Sequence, residues 1–200
     1  MMILIIAALV IFPNFTAFSQ EGVEVSTVIN LESNNLTKNQ EPAIYAFEAL
    51  PNGTVSYSGN LNQGTVLEDL SWAWSSQNAC FPETQKLKFT GSHVLYTGVI
   101  PAYSEMIITL TPDNEADNFS LYAYEIGANS NDFVPNLPRC IRCEADHKWD
   151  RPKKGKTQDH SRIVRDILAL ANPYRVVIGI AGANGLTEGG FTLQIEMKTR

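Results

Sequence analysis

The most constraining feature of the chain is the alternation over residues 173–197, PYRVVIGIAGANGLTEGGFTLQIEM. Val176, Ile178 and Ile180 recur at every second position, as do Phe191, Leu193, Ile195 and Met197. Period-2 alternation places each set on one face of a β-sheet, and each face needs a second layer to cover it. Gly182, Gly185, Gly189 and Gly190 lie between the two runs. They supply conformational freedom for a turn, so the segment reads as two buried strands joined as a hairpin.

Upstream, short apolar runs recur between turn residues. Residues 24–29, 43–49, 55–61, 86–90, 93–99, 106–110 and 119–126 read as strands, separated by signals such as Pro51-Asn52-Gly53, Gly91, Pro101 and Pro112. Many short strands with this punctuation predict a sandwich or barrel. Residues 163–171 carry Ile163, Val164, Ile167, Leu168 and Ala171 at helical spacing, whereas the family resemblance set out below implies a strand leading into Asn172-Pro173-Tyr174. Residues 129–161 have little periodicity and read as a long insertion loop, a kind of segment that commonly carries function.

The chain opens with an apolar run of ten residues, 3–12, followed by Ala17 and Ser19 at the small-residue positions of a cut before Gln20. That run suits a signal-peptide core and is too short to span a bilayer. Residues 1–19 are therefore expected to be a signal peptide and 20–200 one domain, secreted or periplasmic, with no transmembrane segment. Charge is segregated. Residues 20–138 hold 3 basic and 14 acidic side chains, a net of −11, whereas residues 139–165 hold 9 basic and 4 acidic, a net of +5.

The final alternating pair resembles the closing strands of the bacterial pre-peptidase C-terminal domain family. So does Val99-Ile100-Pro101-Ala102 followed by residues 107–111. The HVLY, LYAYEIG and NPYRVVIGIAG stretches are also similar to secreted proteins of Bacteroidetes-type bacteria. The resemblance implies an all-β fold, a single antiparallel, jelly-roll-like β-sandwich carrying a long basic insertion loop. It also implies a module that assists secretion, localisation or substrate binding rather than one that catalyses.

The three cysteines are Cys80, Cys140 and Cys143. In an oxidising compartment one disulfide and one thiol are expected, with Cys80 joined to Cys140 or Cys143. The alternative, a zinc site of Cys80, Cys140, Cys143 and His147, has suitable ligand types. A Cys-x-x-Cys redox centre would need a βαβ setting that the sequence lacks.

Four groups are candidates for chemistry. Lys148, Trp149, Arg151, Lys153, Lys154 and Lys156 form a basic run that suits an anionic partner, an envelope protein or an acidic polysaccharide, through electrostatic attraction. The acidic balance of the chain and its compartment speak against nucleic acid. Trp72 and Trp74, two apart, would share a face on a strand and could stack on sugar rings, the basis of a carbohydrate-binding alternative. Tyr57 and Tyr103 are further aromatics without a geometry to rank them. Asp113, Glu115 and Asp117 sit in one turn with amide neighbours and offer hard oxygen ligands for calcium, the cofactor that the sequence leaves open. Catalysis has no positive signal: nucleophile elbow, His-Glu-x-x-His helix and phosphate loop are all missing. Asp159-His160-Ser161 gathers triad residue types, but consecutive side chains diverge. The expected function is a non-catalytic binding or assembly module of the bacterial cell envelope.

Overall fold

A computed structural model describes residues 42–147 and 160–200. The expected signal peptide, the strand at 24–29, Asp159 and the basic run Lys148, Trp149, Arg151, Lys153, Lys154 and Lys156 lie outside the described residues.

The fold is all-β. Among the described residues ten strands run in chain order: β1 (Ile44–Ala46), β2 (Gly53–Asn60), β3 (Thr65–Val66), β4 (Ser92–Ile100), β5 (Ser104–Pro112), β6 (Phe119–Gly127), β7 (Arg142–Asp146), β8 (Arg162–Ala169), β9 (Tyr174–Gly182) and β10 (Gly190–Thr199). One sheet has the order β1-β4-β9-β6-β7, with β3 also pairing with β4, and the other has the order β2-β10-β5-β8. All pairs are antiparallel except β1 with β4, which departs from the purely antiparallel arrangement expected.

The inward residues of both sheets meet in one core. Val94, Phe119, Leu121, Val176, Ile178 and Ile180 from the larger sheet pack with Met106, Ile108, Leu110, Phe191, Leu193 and Ile195 from the smaller. The alternation in residues 173–197 is thus real, but the hairpin is not. β9 pairs with β4 and β6, while β10 pairs with β2 and β5. The two strands belong to different sheets, and the connection between them crosses from one sheet to the other. Alternation reports which face is buried and is silent about which strand lies alongside. Gly185 and Gly189 do take positive φ there, at 80° and 133°.

A second apolar cluster covers the outer face of the larger sheet. Leu67, Leu70, Trp72, Phe81 and Phe89 from the β3–β4 connection, with Val134 and Leu137 from the β6–β7 connection, pack on Leu95, Tyr122, Tyr124 and Val177. β6 and β9 are consequently buried on both faces and read as nearly continuous apolar runs. The outer face of the smaller sheet shows the opposite pattern, with Thr54, Ser56, Ser58, Gln194 and Lys198 exposed.

Two expected elements change, and the helical spacing of the expected strand at 163–171 finds its cause. Residues 86–90 are not a strand; they fall in a 3-10 helix, Glu83–Phe89, entered from Pro82. It turns Phe89 inward, stacked on Phe81 with ring centroids 3.7 Å apart, and leaves Leu87 exposed. The expected insertion loop, 129–161, contains β7, which pairs with β6. The helical spacing in 163–171 comes from a β-bulge. Met106 pairs with Ile167 and Ile108 with Val164, so β8 carries one residue more than its partner, and Asp166 sits at φ 63°. A bulge converts inward spacing from i, i+2 to i, i+3, which mimics a helix face.

Candidate functional site

The candidate site is the base of the basic loop. β7 ends at Asp146 in the larger sheet and β8 begins at Arg162 in the smaller, so the described residues on either side of 148–159 stand on different sheets. Polar side chains tie these strands together. The Asp146 carboxylate accepts from the Ile163 amide at 2.8 Å, the Glu125 carboxylate accepts from the Leu168 amide at 2.8 Å, and the Arg142 guanidinium donates to the Asp166 carbonyl at 2.7 Å. β8 is an edge strand, and these contacts occupy backbone groups that would otherwise offer a pairing template. Burial pushes the Glu125 carboxyl up, opposed by the Leu168 amide and the Arg142 charge.

Arg162 is fully buried, the largest side chain to be so among the described residues. Its guanidinium donates to the Asn118 side-chain oxygen at 2.8 Å and to the Ser161 carbonyl at 3.3 Å. It also lies 3.3 Å from His160 Nδ1. Arginine can only donate, so that nitrogen accepts and the imidazole carries its proton on Nε2. A buried cation is tolerated only with such hydrogen bonds. His147 stands beside this group, its ring 5.5 Å from that of Phe89. Burial lowers the His147 pKa; Asp146 opposes this, while Arg162 and Lys88 add to it. Lys88, His147, His160 and Arg162 therefore gather where the loop leaves the body. The sequence pattern does not single out Arg162 as functional, although it stands two residues before the inward-facing Val164, which is the phase of a core position.

The acidic turn lies near the same end. Asn114 accepts from the Ala116 amide at 3.0 Å, and the Asp117 amide bonds to the Asn114 carbonyl, so the turn closes on its own hydrogen bonds. Asp113 approaches Gly190 and Asp117 approaches Gly189. Asp113, Glu115 and Asp117 do not converge, and among the described residues no three His, Cys, Asp or Glu side chains gather as a metal site.

Cys80 and Cys143 are joined in a disulfide 63 residues apart in sequence, and Cys140 is a thiol. The zinc arrangement is thereby overturned, because two of its four ligands are consumed. The link staples the β3–β4 connection to β7 at the edge of the larger sheet. Burial pushes the Cys140 thiol up, with Glu125 adding to it, which makes Cys140 a poor nucleophile at neutral pH.

Trp72 and Trp74 are not on a strand. They occupy a 3-10 helix, Ser71–Trp74. Trp72 is 5 % exposed and packs against Phe81, Tyr122 and Tyr124. Trp74 is half-buried beside Phe81. The pair is part of the core of the outer layer rather than a shared stacking platform. Tyr57 is half-buried and Tyr103 exposed.

His93 is interior as well. Nε2 donates to the Phe89 carbonyl at 2.8 Å, which leaves Nδ1 to accept from the Tyr122 hydroxyl at 3.1 Å. Burial holds its pKa down, to about 4. An open groove of about 160 Å³ lined by Ile44, Asp132, Phe133 and Asn136 is smaller than the roughly 300 Å³ or more usual for ligand sites. No helix of the described residues is long and apolar enough to cross a membrane.

No protein-family model and no curated protein matches the chain. Among solved structures it is similar to the crystal structure of PliG from Aeromonas hydrophila, a periplasmic inhibitor of g-type lysozyme. The two share 11 % identity with a TM-score of 0.34, over 78 % of this chain and 99 % of that one. A likeness at that level carries no argument about function.

Proposed function

We propose that this chain is a non-catalytic, extracytoplasmic binding module that engages an acidic protein surface of the bacterial envelope through its basic loop. The observation that carries the reading is the anchoring of that loop. The residues that flank it stand on strands of different sheets, where His147 neighbours Asp146, Lys88 and buried Arg162. A run containing Lys148, Arg151, Lys153, Lys154 and Lys156 springs from that base, opposite in sign to the acidic remainder of the chain. Segregated charge of this kind steers association with a partner of opposite sign.

The disulfide supports an oxidising compartment. The likeness to the pre-peptidase C-terminal domain family belongs to this proposal as an architectural reading, compatible with two sheets around one core. The carbohydrate alternative loses its tryptophan platform, because Trp72 is interior. Anionic polysaccharide remains as the competing partner for the same loop.

The test is affinity capture from the host's envelope, separated into protein and glycan fractions. The bait is residues 20–200, alongside a variant with Lys153, Lys154 and Lys156 changed to Glu. Capture of a defined protein that the variant loses supports the reading. Equal retention by glycan in both forms would sink it.

A further inference from the structure

The chain holds two Asn-Gly pairs, Asn52-Gly53 and Asn184-Gly185. In such a pair the peptide nitrogen that follows the asparagine can attack its side-chain amide, because glycine leaves that nitrogen uncrowded. Both asparagines are exposed, and both hold a left-handed φ of 53°. Their intrinsic chemistry is the same, and their surroundings separate them.

Asn52 is held from several sides. Its side-chain oxygen accepts from the Thr199 amide at 2.9 Å, which fixes the carboxamide on the end of β10. The Gly53 amide donates to the Leu50 carbonyl at 3.0 Å. Gly53 is also crowded, with the Leu50 Cβ 3.0 Å from where a Cβ of its own would stand. Attack requires the 52–53 peptide to turn, which breaks both hydrogen bonds against that wall.

Asn184 is held less. It lies in a 3-10 turn, Ala183–Gly185, between β9 and β10. Space is open around Gly185, where an added Cβ would meet nothing. Among the described residues, the hydrogen bond that restrains the reacting peptide runs from the Gly185 amide to the Thr90 hydroxyl at 3.0 Å. The flanks stay fastened when that peptide turns: the Ala183 amide donates to the Asn118 carbonyl, and the Leu186 carbonyl accepts from the Ser92 amide.

We propose that Asn184 is a self-modification site, converting to aspartate and isoaspartate through a succinimide, and that the Thr90 hydroxyl slows the conversion. The deprotonated Gly185 nitrogen bonds to the Asn184 Cγ, and the Cγ–Nδ2 bond breaks to release ammonia. Water then opens the ring. Addition at the side-chain carbonyl gives aspartate, and addition at the main-chain carbonyl gives isoaspartate. Either product carries a negative charge, and isoaspartate also adds a carbon to the main chain. The charge arises next to Ala183, which is bonded to Asn118, and Asn118 in turn accepts from buried Arg162.

Peptide mapping by mass spectrometry, on the folded protein incubated at mildly alkaline pH with its disulfide intact, tests the assignment. Acid and isoaspartate should accumulate at residue 184 about fivefold faster than at residue 52, since one fewer hydrogen bond must break. Thr90→Val keeps the shape and removes the hydroxyl. It should raise the rate at 184 by about fivefold and leave residue 52 unchanged. In denaturant the two pairs should react at nearly equal rates, because the fold is what distinguishes them. Conversion at residue 52 that matches or leads 184 in the folded protein overturns the proposal, as does an unreactive Asn184. A ratio that denaturant leaves unchanged overturns it in favour of local sequence, and an unchanged rate in a stable Thr90→Val chain removes Thr90 from its role. Where Thr90→Val lowers the unfolding midpoint, the folded-to-denatured comparison decides.

Discussion

His93 shows how a histidine can be structural and still set the pH response. Its folded pKa is held down, to about 4, against an ordinary value of 6.5. The unfolded chain therefore binds the proton more readily between these values. Stability should be complete above pH 6.5 and fall as pH drops toward 4, by about 3 kcal/mol from this group alone. Denaturant titrations at pH 7 and pH 4.5 check this, and a His93→Gln chain should lose less across the same interval. Gly179 is a second point of close fit: the Tyr122 ring lies over it, where any Cβ would collide. Gly179→Ala should cost about 3 kcal/mol by forcing Tyr122 off its position beside His93, seen as a lower denaturant midpoint. Neither role was legible in the sequence. A valine-rich run shows that Gly179 is in a strand, but not that an aromatic from β6 crosses it.

Elements were legible wherever one face alone is buried. β2, β5 and β10 follow strict alternation, and their existence could be read directly. β7 escaped because Cys143 and Ala145 are only half-buried on a peripheral strand, leaving little contrast between faces. The 3-10 helices at Ser71–Trp74 and Glu83–Phe89 escaped because so short a helix offers one turn of pattern, which alternation over the same residues imitates. The disulfide acts at this scale, tying the long β3–β4 connection to the edge strand β7. Replacing both Cys80 and Cys143 with Ser should lower stability by about 4 kcal/mol on loop entropy. Protection should be lost first in residues 67–89 and 133–140. Cys140→Ser should leave the midpoint nearly unchanged, as thermal unfolding would show.

At the scale of the molecule, the two sheets bring the base of the basic segment and the acidic turn to the same end. One sheet is covered on both faces and the other has a polar outer face, so the body offers little beyond its ends and edges for recognition. Charge segregation was visible in the sequence because charge needs no fold to be counted. What could not be read was that β7 and β8 belong to different sheets, which puts the basic loop's base over the junction between layers. Buried Arg162, bonded to Asn118, joins that base to the acidic turn. The decisive measurement is capture of the envelope partner as a function of salt, for the unaltered chain and for the form with Lys153, Lys154 and Lys156 changed to Glu. Electrostatic engagement predicts affinity that falls steadily as salt rises, with a much shallower dependence in the reversed form. Affinity indifferent to salt, or equal in the two forms, would contradict it.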